Sequence, residues 1–174
     1  MGTAKNEQQN GVQQVAAALE AARGQVGQKE IPKGSNSGPM VDKYLNAAGL
    51  RPGFAWCQAF VYWCYAHAAE QLNVPNPVVK TAGVADCWNR TAAARKLSAA
   101  AAVKDPQLVQ AGDQFILLFG KGEGHTGIVE RVEGGLIYTI EGNSNADGSR
   151  EGYEVVRHER ALTDKALQGF IRYA

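Results

Sequence analysis

The sequence predicts an α+β domain in which a block of helices precedes an antiparallel sheet. Three observations lead there. Apolar residues recur at helical spacing in the first half of the chain, as at Val12, Val15, Ala16, Leu19 and Ala22. From Gln110 onward the pattern changes to short runs rich in β-branched and aromatic residues, bounded by glycines. Helices first and strands afterwards is the order of an α+β fold.

The first helix is expected over residues 7–26, ended by Gly24 and Gly27. Gly34-Ser35-Asn36-Ser37-Gly38-Pro39 reads as a loop, and Pro39 suits the first turn of a helix running to Ala48 with Val41, Tyr44 and Leu45 inward. Pro52-Gly53 makes a turn, and an apolar helix follows from Cys57 to Leu72 before Pro75 and Pro77 break the chain. Thr81 is placed to cap a helix through Trp88 to Leu97, and the run Ala99 to Ala102 reads as a surface connection. Candidate strands are Phe115–Phe119, Thr126–Val132, Leu136–Glu141, Glu154–His158 and Phe170–Tyr173, a sheet of five or six strands. Residues 1–27 form a helix within or appended to the domain, and residues 28–174 the body of it.

Composition narrows the function classes. The chain has 174 residues, 45% of them hydrophobic and 20% charged, enough for one domain with a sizeable core. A net charge of +1 leaves no electrostatic footprint for nucleic acid. No apolar run approaches the roughly 20 residues that cross a bilayer. Met1 to Asn10 is polar and lacks the apolar centre of a signal peptide. Synthesis in the cytoplasm without the general secretory route is therefore expected.

The three cysteines, Cys57, Cys64 and Cys87, are odd in number and lack Cys-x-x-Cys spacing, against both a disulfide framework and a zinc site. Cys64 and Cys87 read as small buried hydrophobes. Cys57 differs because it falls in the first turn of a helix. Unpaired N–H groups and the positive end of the helix dipole favour a thiolate there. Gly124-His125-Thr126-Gly127 opens one later strand, and Glu141-Gly142-Asn143 closes the next. Cysteine, histidine, then a carboxylate and an amide is the layout of a cysteine hydrolase. His67 and His158 read as surface or structural, and Trp56, Trp63 and Trp88 as core, with Trp56 also a candidate to line a substrate cleft.

The hairpin register tests the pairing of His125 with Glu141. A three-residue turn Glu133-Gly134-Gly135 sets Val132 opposite Leu136 and Ile128 opposite Ile140, with these four on one face. His125 then falls opposite Asn143 on the other face, with Glu141 diagonal to it. A two-residue Gly-Gly turn shifts the pairing by one and separates His125 from Glu141. The odd-length turn is therefore expected.

These segments resemble the CHAP family, the cysteine- and histidine-dependent amidohydrolases/peptidases of the NlpC/P60 group. The matching pieces are Glu30 through Leu45, Phe54-Ala55-Trp56-Cys57 with Phe60-Val61, Gly112-Asp113, Gly124-His125-Thr126-Gly127-Ile128-Val129 and Ile140-Glu141-Gly142-Asn143. The resemblance implies a papain-like fold and cleavage of peptidoglycan, at the muramoyl–L-alanine amide or within stem and cross-bridge peptides. It implies Cys57 as nucleophile, His125 as base, Glu141 as the residue orienting the imidazole, and Asn143 as a polar fourth member. The Cys57 N–H is a natural oxyanion donor, with Asn36 or Asn143 as candidates for the second.

No cofactor or metal is expected. Asn143-x-Asn145-x-Asp147-Gly148 with Glu154 has the spacing of a calcium loop. Arg150 at an apolar position and strand flanks favour a solvated turn. The calcium site of some relatives, at acidic residues before the nucleophile helix, is unsupported because residues 43–56 contain no Asp or Glu. A monomer acting in the periplasm or on the wall, after lysis or dedicated secretion, is the expected setting. Single-domain hydrolases of this kind occur as phage lysins and as interbacterial toxins, and a toxin requires an immunity protein. The rival readings are a cysteine protease or acyltransferase on a non-wall substrate, and a non-catalytic wall-binding domain.

Overall fold

The backbone dictates a helical layer from the first half of the chain and one sheet from the second. The computed structural model describes residues 2–146 and 152–174. Helix α1 spans Gly2–Gln25 and packs along α3, Cys57–Leu72. Its inward stripe is Ala18, Leu19 and Ala22, while Val12, expected on that stripe, is 58% exposed. Helix α2, Val41–Ala47, begins two residues after Pro39. The Asp42 carboxylate in its first turn accepts from the Ser37 hydroxyl at 2.9 Å and the Gly38 N–H at 3.1 Å, which fastens the preceding loop. Asn73, at φ 52°, closes α3 in the left-handed conformation just ahead of Pro75.

The region after Thr81 differs from expectation. Helix α4 is short, Val84–Arg90, and Thr91 turns the chain out of it by donating to the Cys87 carbonyl at 2.8 Å. A three-residue strand, β1 (Lys96–Ser98), follows where helix was expected. The alanine run is not a surface connection but helix α5, Ala99–Lys104, capped by the Ser98 hydroxyl, with Ala102 fully buried.

The sheet contains β2 (Gln114–Gly120), β3 (Glu123–Glu133), β4 (Leu136–Ser144), β5 (Glu154–Ala161) and β6 (Leu167–Ile171). Strand order is β1-β6-β2-β3-β4-β5, every neighbour antiparallel. One face sends Ile116, Ile128, Ile140 and Ile171 into the core shared with Tyr44, Phe60, Cys64 and Tyr65 of the helices. The other sends Phe115, Leu117, Val129, Ile137 and Phe170 into a second core closed by Ala102, Val109 and Leu162. Each fully buried large side chain contributes about 1.5–3 kcal/mol to the layering.

The β3–β4 hairpin corrects the expected turn. Glu133 pairs with Leu136 and Val132 with Ile137, so the turn is the two-residue Gly134-Gly135. A bulge between Val129 and Arg131 then absorbs one residue, Glu130, and restores Ile128 opposite Ile140. The bulge also moves Val132 off the face of Ile128: Val132 packs with Ile137 in the second core, and Ile128 lies in the first. A tight diglycine turn and a pairing that aligns His125 with Glu141 therefore coexist.

Candidate active site

Cys57 is the first residue of α3, delivered there by Trp56 at φ −123°. Trp56 provides no side-chain cap, so the N–H groups of the first turn have no side-chain acceptor from it. Cys57 is 6% exposed. The entry is anchored by a buried carboxylate: Glu30 accepts the Trp56 indole N–H at 2.9 Å and the Gly34 N–H at 2.8 Å. Asn36, at φ 50°, accepts the Gly53 N–H at 2.8 Å, tying its loop to the turn before Cys57.

His125 lies on β3 and Glu141 on β4. The imidazole Nε2 stands 2.7 Å from Glu141 Oε2. Glu141 takes Nε2, which leaves Nδ1 as the ring nitrogen for the Cys57 sulfur. The glycine after this histidine has a steric reason. A Cβ at Gly127 would lie 2.6 Å from the Ile140 carbonyl oxygen and 2.9 Å from Glu141 Cγ, so only glycine lets the Glu141 side chain cross β3 to the ring. A Cβ at Gly142 would lie 2.6 Å from Phe60 Cβ, so glycine there lets β4 close on the first turn of α3.

Glu141 is fully buried and saturated with donors. Arg160 on β5 forks onto it, Nε to Oε1 at 2.5 Å and Nη2 to Oε2 at 2.7 Å. Thr139 donates to Oε1 at 2.6 Å and Ser144 to Oε2 at 3.3 Å. His158 reaches this group through Ser144, Nε2 to Oγ at 3.0 Å, in keeping with a structural histidine. Burial opposes ionisation of Glu141, but Arg160 and His125 outweigh it and hold the carboxyl well below its ordinary range. Burial likewise opposes the His125 imidazolium, but Cys57 and Glu141 outweigh it and raise the ring to about 9. Burial pushes the Cys64 thiol well up, as suits a core cysteine.

A second set of buried groups joins the two halves of the site. Gln114 on β2 donates at 2.8 Å to Gln58, the neighbour of Cys57, and at 2.8 Å to Thr126, the neighbour of His125. The Tyr173 hydroxyl donates to Gln114 Oε1 at 2.6 Å. The Cys57 helix and the His125 strand are thus held in register by a side chain that touches neither the sulfur nor the imidazole.

Cys57 and His125 open onto a cleft of about 1070 Å³, whose walls include Asn36, Gly83, Phe119, Asn143 and Arg160. Glu141, not Asn143, takes Nε2 of His125. Asn143 stands in the wall at φ 51°. Trp56 lies in the core as read, fully buried and stacked on Tyr44 at 5.6 Å, and does not take the cleft position for which it was also a candidate. Of the calcium-like loop, Asp147, Gly148 and Arg150 lie outside the described residues.

A model of the CHAP domain matches residues 49–143, more than half of the chain. The chain belongs to the CHAP family. This family consists of peptidoglycan amidase- and peptidase-type hydrolases that generally depend on cysteine and histidine. No curated protein and no solved structure matches the chain. The span that identifies it as a CHAP domain holds Cys57, His125, Glu141 and Asn143, and ends before Arg160 and His158.

The CHAP geometry puts a sulfur, an imidazole and a carboxylate in a row, with helix N–H groups beside the sulfur. That arrangement can take a proton from a thiol, attack an acyl carbon and return the proton to a leaving group. Reading the sequence missed Arg160, Thr139, Ser144, Gln58 and Gln114. The one available signal was the charged run Arg157-His158-Glu159-Arg160 beside an otherwise apolar sheet.

Proposed function

We propose that this CHAP domain hydrolyses an amide bond of peptidoglycan through an acyl-enzyme on Cys57. The reading is carried by one observation: His125 is bracketed by Cys57 on one side and an ionised, buried Glu141 on the other, at the floor of an open cleft.

In the first half-reaction the Cys57 proton passes to His125 Nδ1, and the thiolate attacks the substrate carbonyl. Charge develops on the carbonyl oxygen beside the first-turn N–H of Cys57, with Asn36 and Asn143 in the cleft wall as candidates for a second donor. The C–N bond breaks as the imidazolium gives its proton to the amine, leaving a Cys57 thioester. In the second half-reaction His125 takes a proton from water, the hydroxide attacks the thioester, and the thiol is regenerated with the carboxylate product. Glu141 remains ionised throughout and holds the ring.

Purified sacculi incubated with the protein test the proposal. Soluble fragments carrying new amino and carboxyl ends at one amide bond are expected, and mass spectrometry of them assigns the muramoyl–L-alanine bond or a peptide bond. Intact sacculi, together with cleavage of unrelated peptides, would move the activity to a non-wall substrate.

A further inference from the structure

We propose that Arg160 is a positioning residue for the Cys57–His125 pair, clamping Glu141 and dividing its charge so that Glu141 orients the imidazole without locking the proton onto it. The inference rests on the acyl-enzyme reading above and deepens it.

The observations are geometric. Arg160 engages both carboxylate oxygens of a side chain with no solvent exposure, while its own side chain is 22% exposed at the cleft. Oε2 is shared between Arg160 and His125, each at 2.7 Å. Both cations lean on one ring: Phe115 lies 5.4 Å beneath the guanidinium and 6.0 Å from the imidazole. A planar fork fixes carboxylate orientation in a way one ammonium does not.

The chemistry explains the need. His125 must release its proton to the leaving amine and then take one from water. A lone buried carboxylate 2.7 Å from the ring would stabilise the imidazolium and resist that release. Arg160 offsets the carboxylate charge while Thr139 and Ser144 stop it from swinging. The charged and titratable groups around the ring are Cys57 from α3, Glu141 from β4, and Arg160 and His158 from β5, with Asp164 acting on Arg160.

The test compares Arg160→Gln and Arg160→Lys with the parent chain. His125 is titrated by NMR on nitrogen-labelled histidine, and Cys57 alkylation by iodoacetamide is followed across pH. Neither reading uses a wall substrate, so a wrong substrate and a wrong role for Arg160 give different results. In R160Q the His125 midpoint should rise by about one unit, and the alkylation profile should follow it. R160K should keep the midpoint but, lacking the fork, lose roughly 10–100-fold in kcat on the active substrate with KM little changed. A folded R160Q with an unmoved or lowered midpoint overturns the proposal. If R160Q does not fold, R160K decides alone: full turnover with an unchanged midpoint means that the fork does nothing.

Discussion

Gln58 and Gln114 meet in the core at 2.8 Å, one residue along from Cys57 on the helix side. Gln114 extends the link to Thr126, one residue from His125. Replacing Gln114 with Leu keeps the bulk and removes the bridge. It strands the Gln58 carbonyl and the Tyr173 hydroxyl, at about 1–3 kcal/mol for each group left without a partner, while the Thr126 hydroxyl keeps its donation to the Phe115 carbonyl at 2.6 Å. Reduced thermal stability together with slower Cys57 alkylation at 25 °C is expected. Alkylation at the parent rate would show that the helix and strand keep their register without it.

Cys57→Ala should abolish hydrolysis and leave the fold intact, because Cys57 is the first residue of α3 and its side chain borders the cleft, so little packing is lost. Cys64→Ala and Cys87→Ala should remain active and lose about 1–2 kcal/mol of packing, both being fully buried. Sacculus clearing by each variant, read beside its melting curve, checks the contrast.

Glu141→Gln should cut turnover with little effect on KM, since the carboxylate acts on the imidazolium formed during reaction. It also leaves the largely buried Arg160 without its counter-charge, at about 3 kcal/mol. Steady-state kinetics and denaturant unfolding separate the two effects. A fully active variant would reduce the machinery to a Cys57–His125 dyad.

The raised His125 value sets a pH window. The ring is held above its ordinary 6.5, near 9, in the folded chain, so it contributes stability that is complete below 6.5 and disappears as pH climbs through 9. Glu141 acts at the opposite end: its value is lowered, so its contribution is present above the ordinary 4.5 and falls away in acid below that. The melting-temperature gap between the parent chain and His125→Gln should therefore narrow between pH 6.5 and 9. A constant gap would place the folded ring at its ordinary value.

Cys57, His125 and Glu141 were legible because each is marked by local chain chemistry: a Pro-Gly turn before a helix, and glycines that admit close approach. The helix-then-sheet order was legible for the same reason. The bulge at Glu130 was not, because a diglycine turn and the Ile128–Ile140 pairing look incompatible until one extra residue is inserted. Arg160 was hidden in a charged run, Arg157 to Arg160, that reads as a solvent face. Which of its arginines meets Glu141 depends on the β4–β5 register, and that register shifts between Glu141 and Ser144. Strand β1 is three residues long and owes its existence to pairing with β6, a contact far along the chain. Trp56 was read as core, but the carboxylate that draws its indole inward, Glu30, was hidden because it is distant in sequence.

The helices-first order has a consequence for biosynthesis. The thiol leaves the ribosome well before the imidazole, the carboxylate and the arginine, all of which lie beyond the exposed Lys104–Asp105 connection. A chain interrupted there carries an inert cysteine, and the remainder carries a base with nothing to activate. Two such pieces expressed separately would regain hydrolysis only on reassembly, with Gln114 closing the seam, so the fold lends itself to a split enzyme whose activity reports association.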